Sequence, residues 1–202
     1  MKREDKNQLT RGKILASAVA EFARHGYEAG SLNTICQAGG ISKGIIYHYF
    51  ASKDELYLSC LETCFNALTA YLSDQLEGGV ASGDRLADYF DARMAFFKAH
   101  GDYARLFCGA VVFPPEHLKA AIAERRRAFD GLNQAVLRDI MGQNRLRPDL
   151  SEDEVIRVFQ QFQDFLNASY QSAFGSSVDV VRHESDCRSA LHIFLYGILS
   201  RE

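Results

Sequence analysis

An all-α fold of about nine helices is predicted for this 202-residue chain, and three observations predict it. Only three prolines occur (Pro114, Pro115 and Pro148), each where a helical pattern breaks. No stretch alternates β-branched and polar residues as a strand would. Apolar residues instead recur every three or four positions over long segments. The organisation expected is a small three-helix unit over residues 1–52 and a larger helical unit over residues 53–202.

The first helix is placed over Thr10–His25, where Ile14, Leu15, Ala18, Val19 and Phe22 share a face and Gly26 is a natural stop. Two short helices follow, Leu32–Ala38 with Ser31 as N-cap and Lys43–Phe50 with Ser42 as N-cap. A fourth opens after Ser52, with Asp54 and Glu55 in the first turn, where the helix dipole favours acids. It runs to about Leu76 on Leu61, Cys64, Phe65, Leu68, Tyr71 and Leu72. The segment GGVASGD (78–84) reads as a loop, followed by helices over about 84–100 and 102–112. Phe113-Pro114-Pro115 ends the sixth helix and starts a long seventh, to about Gly142. Beyond Arg147-Pro148, Ser151 and Glu154 form a capping box for an eighth helix carrying Val155, Val158, Phe159, Phe162, Phe165, Leu166 and Tyr170. The last helix ends near Leu199 and carries Cys187, Leu191, Phe194, Leu195 and Ile198.

Composition narrows the function. Hydrophobic residues make up 47% of the chain, enough for a sizeable core. No run of about 18 apolar residues would span a membrane, and the first residues lack a secretory h-region, so a cytoplasmic protein is expected. Five scattered cysteines (Cys36, Cys60, Cys64, Cys108 and Cys187) show neither a disulfide framework nor metal-ligand spacing. Cys60 and Cys64 read as small buried residues; the alternative is a thiol sensor. The net charge of −3 is unevenly spread. Residues 1–60 hold eight Lys/Arg against six Asp/Glu, and the remainder holds fifteen against twenty. A mildly basic head on an acidic body suits a small surface for a polyanion. No nucleophile elbow, phosphate loop or metal constellation is present, so no catalytic residue, metal or cofactor is expected and an enzyme is not.

The informative segment is SLNTICQAGGISKGIIYHYF (31–50). Its two short helices are joined by Gly39-Gly40-Ile41, and a glycine there permits a sharp turn. Ile35, Ile41, Ile46 and Phe50 form a small shared core, which leaves Lys43, Gly44, Ile45, Tyr47, His48 and Tyr49 facing outward. That set suits a duplex groove better than a protein interior. Lys43 supplies charge to a phosphate or guanine, and Gly44 permits close approach. Tyr47 can donate to a phosphate, and His48 or Tyr49 can reach a base edge or a thymine methyl. Lys53 is placed for a further phosphate contact near a helix N-terminus. With the capping residues Ser31 and Ser42 these make the predicted DNA-binding set. The alternative is an ordinary aromatic helix junction.

The string GISKGIIYHYFASKDEL (40–56) resembles the TetR family of bacterial transcriptional regulators, through Gly40, Ile41, Ser42, Lys43, Gly44, Ile46, Tyr47, Tyr49, Phe50, Ser52, Lys53, Asp54, Glu55 and Leu56. Cys36 and Gly39 stand where that family usually has alanine. Ile45 stands where a small or polar residue is common, which suggests an apolar base contact. The resemblance implies a helix-turn-helix reading an operator, a ligand pocket among the fourth to seventh helices, and a homodimer through the last two. It thus implies three partners: double-stranded operator DNA, a small-molecule effector and a second copy.

The residues of the body fit this picture. The eighth and ninth helices carry wide, aromatic stripes suited to a two-fold interface or, alternatively, to covering the monomer core. Arg93 falls mid-stripe with Leu86, Phe90 and Phe97, and Arg125 falls among Leu118, Ile122 and Phe129. A buried cation needs a partner. A ligand carboxylate or phosphate is one solution, so Arg93, Phe97, Arg125 and Phe129 are the predicted ligand set, for a hydrophobic and possibly anionic effector. An internal acid or snorkelling is the other. His100 is expected to be a satisfied core histidine. A repressor released by its ligand is the leading reading; a constitutive or redox-responsive DNA-binding protein and an enzyme with a helical pocket are the others.

Overall fold

The computed structural model describes residues 3–78, 83–144, 146–174 and 179–198, and side chains for most of these. Among them the chain is helical throughout, as the sequence predicts: α1 Arg3–Ala29, α2 Leu32–Gly39, α3 Lys43–Tyr49, α4 Lys53–Gly78, α5 Arg85–Ala99, α6 Gly101–Val112, α7 Lys119–Gln143, α8 Glu152–Phe174 and α9 Val180–Ile198. No single helix among the described residues is long and apolar enough to cross a membrane.

Three differences from the expected boundaries have clear causes. α1 begins seven residues before Thr10, because Arg3–Leu9 is rich in good helix formers that need no buried stripe. At its other end Gly26 (φ 70°, ψ −177°) bends the chain without stopping it, and Tyr27–Ala29 resume the helix. Before α7, Pro114-Pro115 lead into a 3-10 turn, Glu116–Leu118, which seats Leu118 in the core. Of the expected loop at 78–84, residues 79–82 lie outside the described residues, as do Leu199 and the side chain of Ile198.

Two compact units form. One comprises residues up to Phe65 together with His100–Arg126, and the other Asn66–Ala99 with residues from Arg127 onward. In the first, α1 packs on α2 and α6. Its core holds Ile14, Ala18, Phe22, Ile35, Ile46, Phe50, Leu56 and Leu61, with Phe65 and Phe107 edge to face at 5.8 Å. Each such side chain contributes about 1.5–3 kcal/mol by leaving water. Gly30 is required here, since a Cβ would lie 2.6 Å from the Phe22 ring and 2.8 Å from the Gly26 carbonyl oxygen. Cys60 and Cys64 are wholly buried in this core, where desolvation pushes both thiols far up, as inert packing residues. His100 corrects its expectation: it is exposed, at the N-cap of α6. The break between α5 and α6 turns it out of the α5 stripe.

In the second unit α5 and α9 pack together, and α8 packs on α9. Phe90, Phe96, Phe97, Phe129, Val155 and Phe159 are buried, and Phe162 stacks on Phe194 at 5.6 Å. The N-terminus of α8 is capped by Ser151, whose Oγ accepts the Glu154 N–H at 3.3 Å.

Candidate nucleic-acid interface

The two short helices are fixed by caps that the sequence spells out. Ser31 Oγ accepts the Thr34 N–H at 3.4 Å, and the buried Glu21 carboxylate accepts the Ser31 N–H at 2.9 Å, tying α2 to α1. At the other end of α2, Gly40 adopts the left-handed conformation (φ 61°, ψ 37°). The Ile41 N–H then reaches the Cys36 carbonyl at 3.0 Å, closing a Schellman turn. Ser42 Oγ accepts the Ile45 N–H at 3.3 Å and starts α3.

α3 buries a single side chain, Ile46, with Phe50 beneath its last turn. Lys43, Gly44, Ile45, Tyr47 and His48 form one open face, with Ile45 39% and Tyr47 52% exposed. A Cβ on Gly44 would meet only Ser42 Oγ, at 3.9 Å, so among the described residues nothing stands over this glycine. Tyr49 lies on its flank, half-buried, and donates its hydroxyl to Asn7 Oδ1 at 3.0 Å. Arg11 lies 5.2 Å over the Phe50 ring. Lys53 gives one of its three protons to the Glu28 carbonyl at 3.1 Å and lies 4.7 Å over the Tyr27 ring. The α4 start is capped by Ser52, whose Oγ accepts the Glu55 N–H at 3.1 Å.

A short, twice-capped helix whose open face carries a cation, a close-approach glycine, a phenol and an imidazole is the geometry of a groove-reading helix. Residues 14–60 match the family model described as "Bacterial regulatory proteins, tetR family". Over that segment the chain is similar to the TetR family. A curated relative, the HTH-type transcriptional repressor SCO4008 of Streptomyces coelicolor, is 36% identical over 88 residues. That match covers 42% of this chain and less than half, 44%, of the relative. The HTH-type transcriptional repressor KstR2 of Mycobacterium tuberculosis is 29% identical over 154 residues, 73% of this chain and 74% of that protein. Among solved structures, FadR of Bacillus subtilis, crystallised with stearoyl-CoA, superposes with a TM-score of 0.68 over 93% of this chain and 98% of its own, at 16% identity. That likeness shows the fold alone.

The four residues predicted to hold a ligand divide. Arg93, Phe97 and Phe129 come together in the second unit, whereas Arg125 belongs to the first. Arg93 is 6% exposed, and Phe90, Phe97 and Phe129 ring its guanidinium at 5.5–6.0 Å. Its charge meets an internal acid: Nη2 donates to Glu184 Oε1 at 2.9 Å, and Nε lies 2.7 Å from Oε2, off the hydrogen-bond axis. Nη1 donates to the Tyr89 hydroxyl at 3.1 Å, which donates to Asn133 Oδ1 at 2.6 Å. Burial opposes the charge on Arg93 most strongly of any single influence, but Glu184, Tyr89 and Cys187 together outweigh it and hold the guanidinium firmly protonated. Beside Glu184, His183 faces Asn167 Oδ1 at 3.2 Å. Arg125, about one-third exposed, pairs with Glu62 at 2.5 Å. For both arginines the internal acid is therefore the partner present.

Glu184 and His183 were missed by the sequence reading. The signal was available, since Glu184 lies seven residues before Leu191, on the inward stripe of the last helix, where an acid needs a cation. Asn7 and Glu21 left none. In the same unit a groove of about 450 Å³ lies between the start of α5 and α9, lined by Leu86, Ala87, Arg188, His192 and Ile193.

Proposed function

We propose that this protein is a homodimeric, sequence-specific DNA-binding repressor, not an enzyme, acting in the cytoplasm and released from a palindromic operator by a small hydrophobic effector. Residues 1–52 read DNA, and residues 53–202 carry the effector and dimer functions. The observation that carries the reading is the open face of α3, uncovered by its own unit and armed with Lys43, Tyr47 and His48. Lys43 and Tyr47 hold phosphates, and His48 and Ile45 meet base edges, Ile45 a thymine methyl. Lys53, using its remaining protons, and the capped starts of α2 and α3 at Ser31 and Ser42 add backbone contacts.

Dimerisation is supported by α8 and α9, whose outward faces leave Phe165 67% and Ile193 72% exposed, with Val158 and Val181 beside them. Covering that face with a second copy removes the cost of hydrating it, and sets two copies of α3 at half-sites about one helical turn, ~34 Å, or a multiple apart. The names of SCO4008 and KstR2 favour repression, whereas a third relative, FasR of Mycolicibacterium smegmatis, is named an activator. The effector class rests on the aromatic interior around Phe97 and Phe129. With Glu184 already on Arg93, an anionic effector would engage Arg125 by displacing Glu62. The effector lowers DNA affinity by preferring a conformer whose reading helices no longer match the operator.

Selection of bound duplexes from a random pool tests the central reading. A palindromic consensus is expected, and no enriched sequence would refute it. Isothermal titration with a panel of apolar carboxylic acids, on the wild type and on Arg125→Ala, tests the effector's charge. Equal affinities would remove the anionic part.

A further inference from the structure

We propose that Tyr27, Asp54 and His117 form a proton-responsive latch on the first turn of α4, with His117 acting as a positioning residue for the reading helix. The DNA part of this rests on the function proposed above. The three residues come from the end of α1, the start of α4 and the turn between α6 and α7, and all lie in the first unit. Tyr27 donates its hydroxyl to Asp54 Oδ1. His117 Nε2 lies 3.5 Å from Asp54 Oδ2 and 3.4 Å from the Tyr27 oxygen, and its ring packs edge-on against Tyr27 at 5.5 Å. The bend at Gly26 turns Tyr27 into this cluster.

The latch bears on α3 through the shortness of the connection. Only Phe50, Ala51 and Ser52 separate α3 from α4, and Phe50 is locked in the core, so a shift of the α4 first turn is carried to Lys43–Tyr49. Lys53, beside Asp54, reinforces the same junction by holding the Glu28 carbonyl.

The chemistry makes the contact conditional. The Tyr27 phenol is pushed up to about 12 by burial and then by Asp54, so it stays a donor at neutral pH. Histidine is the side-chain type that ordinarily changes charge between about pH 5 and 8. With His117 protonated, the contact to Asp54 is an ion pair; with it neutral, a weak polar contact remains. The other groups around the cluster are Glu28 on α1, Lys53 and Tyr57 on α4, the latter with its ring 5.1 Å from that of Tyr27, and the Glu116–Lys119 pair (2.5 Å) flanking His117 on its own turn. The contact is therefore strengthened by a proton on His117 and weakened by its loss. His117 and Asp54 are 55% and 40% exposed, so protons reach it freely and the effect is modest.

The test uses the full-length protein and the operator enriched from the random pool. Dissociation constants are measured near pH 6 and pH 8 at constant ionic strength for the wild type, His117→Gln, Asp54→Asn and His48→Gln. The wild type should bind more tightly at the lower pH. His117→Gln and Asp54→Asn should each remove about two- to fourfold of that ratio, the worth of a half-exposed pair. His48→Gln, which alters only the reading face, should keep this share. Amide exchange of residues 53–57 without DNA, corrected for intrinsic rates, should show protection falling with pH in the wild type and flat in His117→Gln. Identical pH ratios in wild type and His117→Gln overturn the positioning role, and identical exchange profiles overturn the latch. If no duplex is enriched, the DNA reading fails and the exchange profiles alone decide the latch.

Discussion

The open face of α3 and the outward faces of α8 and α9 both leave large side chains in water, yet the chemistry of their tips differs. On α3 every large exposed group except Ile45 ends in a polar atom: the Lys43 ammonium, the Tyr47 hydroxyl, the His48 imidazole. On α8 and α9, Phe165, Val181 and Ile193 end in carbon. Exposure of either kind signals a missing partner; the tip tells which. Polar ends with an apolar body suit a hydrated, charged groove, and carbon ends suit a surface like themselves.

Four substitutions would break or sharpen this contrast. The largest effect is expected for Phe165→Asp, which puts a charge into the apolar face. Analytical ultracentrifugation should show loss of the dimer by about 3–5 kcal/mol of association energy, with operator binding falling alongside; an unshifted dimer would mean that the α8 face is not the interface. Arg93→Ala should cost a similar 3–5 kcal/mol, but in folding stability, by stranding the Glu184 carboxylate in the core. The pair Arg93→Met with Glu184→Leu should regain most of it in thermal denaturation. Gly40→Ala forces a Cβ into the left-handed turn between α2 and α3 and should cost about 1–2 kcal/mol, read as a lower melting temperature. Smallest is Lys43→Ala. It should weaken all DNA sequences about equally and lower the salt dependence of binding by about one counterion, leaving the dimer intact.

What was legible in the sequence follows the same divide. Caps and turns are written locally, so Ser31, Gly40, Ser42, Ser52 and Ser151 could be placed from single residues. The α3 face was legible because seven residues leave few ways to arrange one buried position. Periodicity predicted that Arg93 lies inside. It could not choose the partner, since Glu184 is 91 residues away and only tertiary packing brings it there. The extent of α1 was underestimated because the apolar stripe marks what a helix buries, not how far it runs. His100 was misplaced because the helix whose pattern it continued ends one residue earlier. Asn7 and His117 act through contacts that leave no trace in spacing.

The first unit is built from two stretches of chain, residues up to Phe65 and His100–Arg126, and the chain passes between the units inside α4, between α5 and α6, and inside α7. A fragment cut after residue 52 would therefore keep the three small helices but strip Phe22 and Ile14 of Leu56, Leu61 and α6. Such a piece should be largely uncoiled in solution. For the same reason α2 and α3 should not fold as a cassette transplanted onto another protein. Any exchange of specificity between relatives would have to be made side chain by side chain on the α3 face, with its scaffold left in place.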